Sequence, residues 1–306
     1  FVDGARTDQR QTIGYIMEKL LNQEAKNKRK NSCQTVEVMI SGQNNPANAW
    51  YYYQEHGYKY KSDLVILGVT LGNDITWHNY KGGVLPVNNA KGEISLSLRP
   101  NSWQDEVRLA DLPLPKDAYV DEPLFLRKIR KLELRIRQKL AETAYIFGYC
   151  VPPCIGSLTS SPYHVSATDW YNSLGLFYQP VMPEIDKMLS DFEEVLLGFH
   201  QKVETNGSKF LVVLFPVRIQ VSQGDFNLLA RFYFLNKSKF DLYYPNRRIN
   251  NFCGNKHIRI LDLYGGFIRS KNKHLYRAMG DMHFNENGQE LAARIITEKV
   301  KPVVNR

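Results

Sequence analysis

Three short segments carry side chains suited to moving a proton and to holding an oxygen that gains negative charge. They are Ile40-Ser41-Gly42-Gln43-Asn44, Leu71-Gly72-Asn73-Asp74-Ile75, and Gly280-Asp281-Met282-His283-Phe284-Asn285 with Gly288 close behind. The imidazole of His283 can take up a proton near neutral pH. Asp281, two residues away on the same loop, is near enough to touch it. Asn73 brings an amide that donates hydrogen bonds without ionising, and Gly42 has no side chain to crowd its own N–H. Singly, each segment also has a commonplace reading. A glycine after a strand is usually a turn residue, an Asn-Asp pair is usually a cap or Asx turn, and one Asp-x-His is more often a surface loop. Asp74 reads as a supporting cap rather than a proton carrier. Trp77 and His78 either line a pocket or pack against the stretch after them. Asn285 reads as the N-cap of a helix over 286–299. His56, His164, His200, His257 and His274 have no motif around them and read as structural.

The elements that must position these residues can be read from periodicity. Ile13, Ile16, Met17, Leu20 and Leu21 give an amphipathic helix over 9–22. Residues 36–41 read as a short strand, and 46–58 as a helix opened by Pro46. The apolar run 63–71 suits a strand buried on both faces of a parallel sheet. Regularity returns with a long helix over 180–205 ended by Gly207, a second buried strand over 209–215, a loop and helical segment over 216–252, and a further strand over 257–263. A closing helix spans 286–299. Strand–helix alternation predicts parallel strands with helices on both faces. All three chemical segments then lie at or after the carboxyl end of a predicted strand, where sites form in open α/β sheets. The turn-rich, charged stretch at about 75–165 breaks the order and reads as an insertion in a single domain over 1–306, placed as a lobe or lid near the site because it leaves from the Asn73 loop. The helix over 9–22 should come after a strand, and none precedes it in this sequence.

A chain of 306 residues with 43% hydrophobic content can fill one sizeable core, and 23% charged residues with abundant Tyr and Phe exclude a disordered composition. No apolar run reaches the roughly 18–20 residues of a membrane span. Much of the net charge of +9 falls between Arg127 and Lys139, where seven Lys and Arg face only Glu133. Over 126–140 these residues alternate with Leu and Ile in a mostly helical pattern. Contact with an anionic membrane surface or a polyanion fits, as does a solvated helix face, the commoner case. No zinc-finger spacing or RNA-binding aromatic signature is present, so no nucleic-acid partner is expected. Cys150 and Cys154 suit either a disulfide closing a small loop or two free thiols, and no metal site is expected among the four cysteines.

Together, in this order, the three segments resemble the SGNH/GDSL hydrolase family. Lys59-Tyr60-Lys61-Ser62-Asp63-Leu64-Val65 ahead of the Asn73 block, Leu261-Asp262-Leu263, and the run from Asp281 through Asn285 and Gly288 to Ala292-Ala293 resemble that family's flanks. The likeness covers about 1–75 and 170–300, and is loose between. It implies a three-layer α/β/α, flavodoxin-like fold of strand order 2-1-3-4-5. It implies a serine esterase acting on a short acyl group, such as O-acetyl on a glycan. His283 would be the base, Asp281 its orienting partner, and Gly42 and Asn73 oxyanion donors. Partners would be an ester-bearing small molecule or acylated glycan, without metal or organic cofactor, in a bacterial envelope or secreted setting. Two further readings keep the fold: a polysaccharide O-acyltransferase, and a non-catalytic carbohydrate-binding or assembly protein. The family's Gly-Asp-Ser block is absent from the sequence. Phe1-Val2-Asp3-Gly4-Ala5-Arg6-Thr7 resembles the segment directly after that block, so the serine and most of the first strand are expected upstream of Phe1. The chain as written is then expected to be inactive.

Overall fold

The computed structural model describes residues 8–27, 35–42, 45–75, 84–88, 94–98, 114–120, 125, 128–129, 132, 174–272, 274–277 and 283–304. In chain order the helices are α1 (Ile13–Asn27), α2 (Pro46–Glu55), the turn α3 (Leu71–Asp74), α4 (Pro183–Thr205), α5 (Arg218–Val221), α6 (Gln223–Tyr233), α7 (Tyr244–Asn255), α8 (Tyr264–Arg269) and α9 (Glu286–Val304). The strands are β1 (Leu64–Thr70), β2 (Val84–Asn88), β3 (Ile94–Leu98), β4 (Lys209–Phe215) and β5 (Ile260–Asp262).

Strands β1, β4 and β5 form a parallel sheet in that order, with Leu64 opposite Lys209 and Val212 opposite Ile260. β4 is central, and its uninterrupted apolar run KFLVVLF reflects burial on both faces. Phe210, Val212 and Leu214 enter one cluster with Trp50 of α2 and Ile185, Leu189, Phe192, Leu196 and Phe199 of α4. Leu211, Val213 and Phe215 enter the other, with Ile13, Met17 and Leu21 of α1 and Ala292, Ala293, Ile296 and Val300 of α9. The molecule is therefore a mixed α/β fold with helices on both sheet faces. The expected strands over 63–71 and 209–215 are present, and the one over 257–263 is shorter. The 216–252 stretch resolves into helices α5, α6 and most of α7.

Local signals explain the helix ends. Asn45 caps α2 by accepting from the Asn48 N–H at 2.8 Å, and Pro46 occupies the first turn. Pro183, Glu184 and Asp186 open α4, the acidic pair opposing its N-terminal partial charge. After α4 the chain turns at Gly207, whose φ of +82° is strained for any residue with a Cβ.

The expected strand over 36–41 requires correction, because residues 35–42 take no sheet position. Their backbone is satisfied by α1 instead. Asn22 accepts from the Val36 N–H and donates to its carbonyl, both at 2.9 Å, and Glu18 accepts from the Val38 N–H at 2.8 Å. Alternating apolar residues there fit a helix surface as well as a sheet. The region expected to hold an insertion contains an antiparallel hairpin of β2 and β3, which lies beside α2 and α4. Cys33, Cys150 and Cys154 lie outside the described residues, and Cys253 is a buried free thiol.

Gly198 of α4 gives the sharpest packing test. A Cβ there would stand 2.3 Å from the Trp50 ring, which is 2% exposed and has no room to retreat. Gly198→Ala should cost about 1–3 kcal/mol through overpacking, read as a lower urea midpoint. Gly254→Ala, with nothing within 4 Å of the added carbon, should leave the midpoint unchanged or raise it.

Candidate functional site at the carboxyl edge of the sheet

Because the three strands are parallel, the segments after Thr70, Phe215 and Asp262 emerge on one edge. The Leu71–Asp74 turn comes directly after β1. It holds the backbone of Asn73; that residue's side chain lies outside the described ones. Asp74 folds back to accept from the Thr70 N–H at 2.6 Å. The residue is partly exposed as a whole, but its carboxyl is enclosed. Burial raises its pKa to about 7, against the opposing pull of the Thr70 amide. Asp74 is thus a cap, as its sequence context suggested, and also a carboxyl that ionises near neutrality.

His283 reaches the same edge through its neighbours. Phe284 is fully buried, its ring centroid 5.7 Å from that of Phe215, the last residue of β4, 4.8 Å from Phe267 and 5.2 Å from Tyr276. The backbone on either side pairs with residues 275–277. The Arg277 N–H donates to the His283 carbonyl at 3.0 Å, and the Asn285 N–H to the Leu275 carbonyl at 3.1 Å. The Tyr276 hydroxyl donates to the Pro216 carbonyl at 2.8 Å, just past the end of β4. Burial pushes this phenol far above its ordinary range, so it remains a donor. Arg218, ion-paired to Asp225 at 2.8 Å, donates to the Arg277 carbonyl at 3.1 Å. The loop carrying His283 is therefore fastened to the end of β4, one strand from the turn carrying Asn73.

Helix α9 completes the fastening. Asn285 accepts from the Gly288 N–H at 3.0 Å, the N-cap its position predicted, and donates to the carbonyls of His274 and Tyr276. Gly288 lies so close to the 274–277 segment that a Cβ would stand 2.1 Å from the Leu275 carbonyl oxygen. Gln289 accepts from the Ile13 N–H at 3.2 Å and so joins α9 to the start of α1.

The segments carrying two of the sequence-nominated positions, the turn holding the Asn73 backbone and the loop holding His283, thus lie at the same edge of the sheet. Gly42 ends the segment lying along α1, and none of these hydrogen bonds reaches it. Asp281, with Gly280, Met282, Trp77, His78 and His164, lies outside the described residues. At the end of β5, Asp262 accepts from Tyr243 Oη at 3.1 Å, from Asn246 Nδ2 at 3.1 and 3.0 Å, from Asn250 Nδ2 at 3.1 Å and from the Tyr264 N–H at 2.9 Å. That carboxylate is fully occupied as an anchor for α7. Burial, then the nearby Asp262 charge, pushes the Tyr243 phenol up to about 12. Sequence reasoning missed Tyr276, Arg218 and Asp262 as positioning groups; only the apolar-strand–Asp pattern at 261–263 pointed to the last. Among the described residues, no group of three or more His, Cys, Asp and Glu is placed to hold a metal ion.

No family model, curated protein or solved structure matches this chain.

Two outcomes test the edge. Gly288→Ala should displace the 274–277 segment and cost about 1–3 kcal/mol, with the His283 ring resonances shifting in NMR spectra. For Asp74, a raised folded pKa means the folded state holds its proton while the unfolded chain ionises. Stability from this group is present below about pH 4 and is lost as pH rises to about 7. Asp74→Asn should flatten that decline in urea midpoints measured across the same window.

Proposed function

We propose that this chain supplies the base and the oxyanion side of an SGNH-type ester-hydrolysing site. The observation that supports this most is the fastening of the His283 loop to the end of β4 through Phe284 and Tyr276. It lies beside the strand that leads into Asn73. In this reading β1, β4 and β5 are the third, fourth and fifth strands of a flavodoxin-like sheet ordered 2-1-3-4-5. The 35–42 segment, where the second would fall in sequence, lies along α1 and takes no sheet position. The first would pair along the outer edge of β1, where no strand lies among the described residues and where Ile66, midway along the strand, is 36% exposed.

Each group then has one role in the chemistry. A serine on that first strand attacks the ester carbonyl and gives its proton to His283, which passes it to the leaving alcohol. Asp281 holds the imidazole's other N–H and favours the imidazolium. The Asn73 amide and the Gly42 N–H receive the oxygen that becomes negative, and water releases the acyl group. Asp74 supports the Asn73 turn rather than the proton path. A short acyl group, such as O-acetyl on a glycan, is the substrate class proposed.

The residues encoded directly before Phe1 are the first test, with Gly-Asp-Ser after an apolar strand as the expected result. The protein extended to include them should hydrolyse p-nitrophenyl acetate. His283→Ala should then lower turnover by at least about 10³-fold, and Asn73→Ala by about 10²–10³-fold. Hydrolysis indifferent to His283→Ala would sink the reading. Acetyl transfer to a glycan that outruns release to water would redirect it to an acyltransferase.

A further inference from the structure

At the edge opposite the candidate site the chain enters its parallel strands. Three segments lie side by side there: 57–63 before β1, 206–208 before β4 and 254–259 before β5. The Lys209 N–H donates to the Asp63 carbonyl at 3.0 Å, and the Val212 N–H to the Arg259 carbonyl at 2.9 Å. Asn206 Nδ2 donates to Tyr53 Oη at 3.4 Å, which brings the end of α2 alongside. Lys59, Lys61, Lys256 and Arg259 are exposed on this edge, with Lys202 and Lys209 half-buried among them. The carboxylates nearby are Glu55, Asp63 and Glu204, the last 3.7 Å from His200. Cations therefore outnumber anions, and among the described residues no ion pair takes up any of the four exposed ones. The basic stretch over 126–140 lies outside the described residues apart from Lys128, Ile129 and Leu132.

Exposed aromatic rings accompany these charges. The turn Gly57–Tyr60 presents Tyr58 and Tyr60, 43% and 58% exposed, with Lys59 between them. Lys59 Nζ stands 5.7 Å from the Tyr58 ring centroid. Lys61 follows with φ of +48°, a left-handed backbone that glycine or asparagine adopts with less strain. Strain kept at an exposed lysine points to a use for its side chain.

We propose that this edge, with the Tyr58–Lys61 turn and Lys209, Lys256 and Arg259 beside it, docks on an anionic lipid bilayer surface. Tyrosine rings suit headgroup depth, where the ring meets acyl chain and the phenol meets water. Lysine and arginine meet the anionic headgroups. Adjacent strands lie about 4.8 Å apart, so the cations spread across the width of the sheet, segment by segment. That spread matches a plane of headgroups better than the single line of phosphates in a nucleic-acid strand. Stacking of bases is also hindered at Tyr58, whose ring already carries the Lys59 ammonium. A second copy of the chain is disfavoured because pairing two such edges would bring like charges together. No helix among the described residues is long and apolar enough to cross a membrane, so the contact is one of lying on the surface. The candidate site stands at the far end of the seven-residue β4, roughly 23 Å away at about 3.3 Å per residue. Docking therefore leaves that site facing away from the bilayer. This surface is independent of the ester-hydrolysing reading.

The test is co-sedimentation of the full chain with vesicles of three parts phosphatidylcholine to one part phosphatidylglycerol, and with phosphatidylcholine alone. Binding is expected to the first only, and to weaken as salt rises. Lys59→Glu with Lys61→Glu should weaken binding by about tenfold or more, and Tyr58→Ser with Tyr60→Ser should weaken it measurably. Lys187→Glu with Lys271→Glu makes the same change of net charge at exposed positions away from this edge, and should leave most of the binding in place. All these side chains are exposed, and unchanged urea midpoints would show that the variants fold. Absence of binding by the unaltered chain would overturn the proposal. So would equal loss from the two charge reversals, which would indicate attraction by net charge only. Tighter binding to a single-stranded oligothymidylate than to the vesicles, lost in Lys59→Glu with Lys61→Glu, would overturn it in favour of nucleic acid.

Discussion

Burial of the Phe284 ring against Phe215, Phe267 and Tyr276 joins its loop to three separate pieces of the fold. Phe215 ends the central strand, Phe267 belongs to the short helix after β5, and Tyr276 lies on the segment that pairs with the His283 loop. Aromatic pairs of this kind contribute about 0.5–1.5 kcal/mol each beyond their area burial. Their larger effect here is geometric. With Phe284 seated, the preceding residue has little freedom, and the Arg277–His283 backbone bond removes most of what remains. A histidine on an unsupported loop would have to be ordered at the moment of use, and that ordering would reduce any rate it could deliver.

The same economy recurs at the other end of the loop. Asn285 caps α9 with its oxygen and holds the 274–276 backbone with its nitrogen, so one amide fixes a helix start and a loop return together. Gly288 permits this because the Leu275 carbonyl occupies the space a side chain would need. The glycine is thus a contact requirement rather than a turn requirement. Asp262 plays the matching part beneath β5, where donors from α7 and α8 saturate its carboxylate. In both places a polar group that burial would penalise is made a positional restraint.

Much of the framework was legible in the sequence, for identifiable reasons. β4 is buried on both faces, so its apolar run is unbroken and could be bounded closely. β1 carries an equally unbroken run, but one face is only partly covered and Ile66 is exposed, which the run itself did not reveal. α4 and α9 declared themselves through helical spacing and their end residues. Residues 36–41 did not, because alternation records which side chains are covered and not whether the backbone has a strand to pair with. Asn22 and Glu18, which satisfy that backbone, look like ordinary polar positions of a helix. Asn73 and His283 could be nominated from residue type and local motif alone, and the fold places their segments at one edge of the sheet. Tyr276 and Arg218 could not, since their role comes from carbonyls that only the folded chain brings near. The Asp74 carboxyl was recognisable as a cap, but its shift toward neutrality arises from enclosure that no local pattern encodes.

The connectivity of the sheet also has a kinetic side. β4 meets β5 across residues 216–259, but meets β1 only across the whole of residues 71–208. Closing the longer loop costs roughly 1 kcal/mol more in chain entropy, a small equilibrium penalty that falls on the transition state before any strand contact offsets it. The favoured order of assembly is β4 with β5 first, and recruitment of β1 second. During that interval both edges of the nascent pair are free to meet another chain. A nascent molecule would be most exposed to misassembly after β5 is made and before β1 has docked.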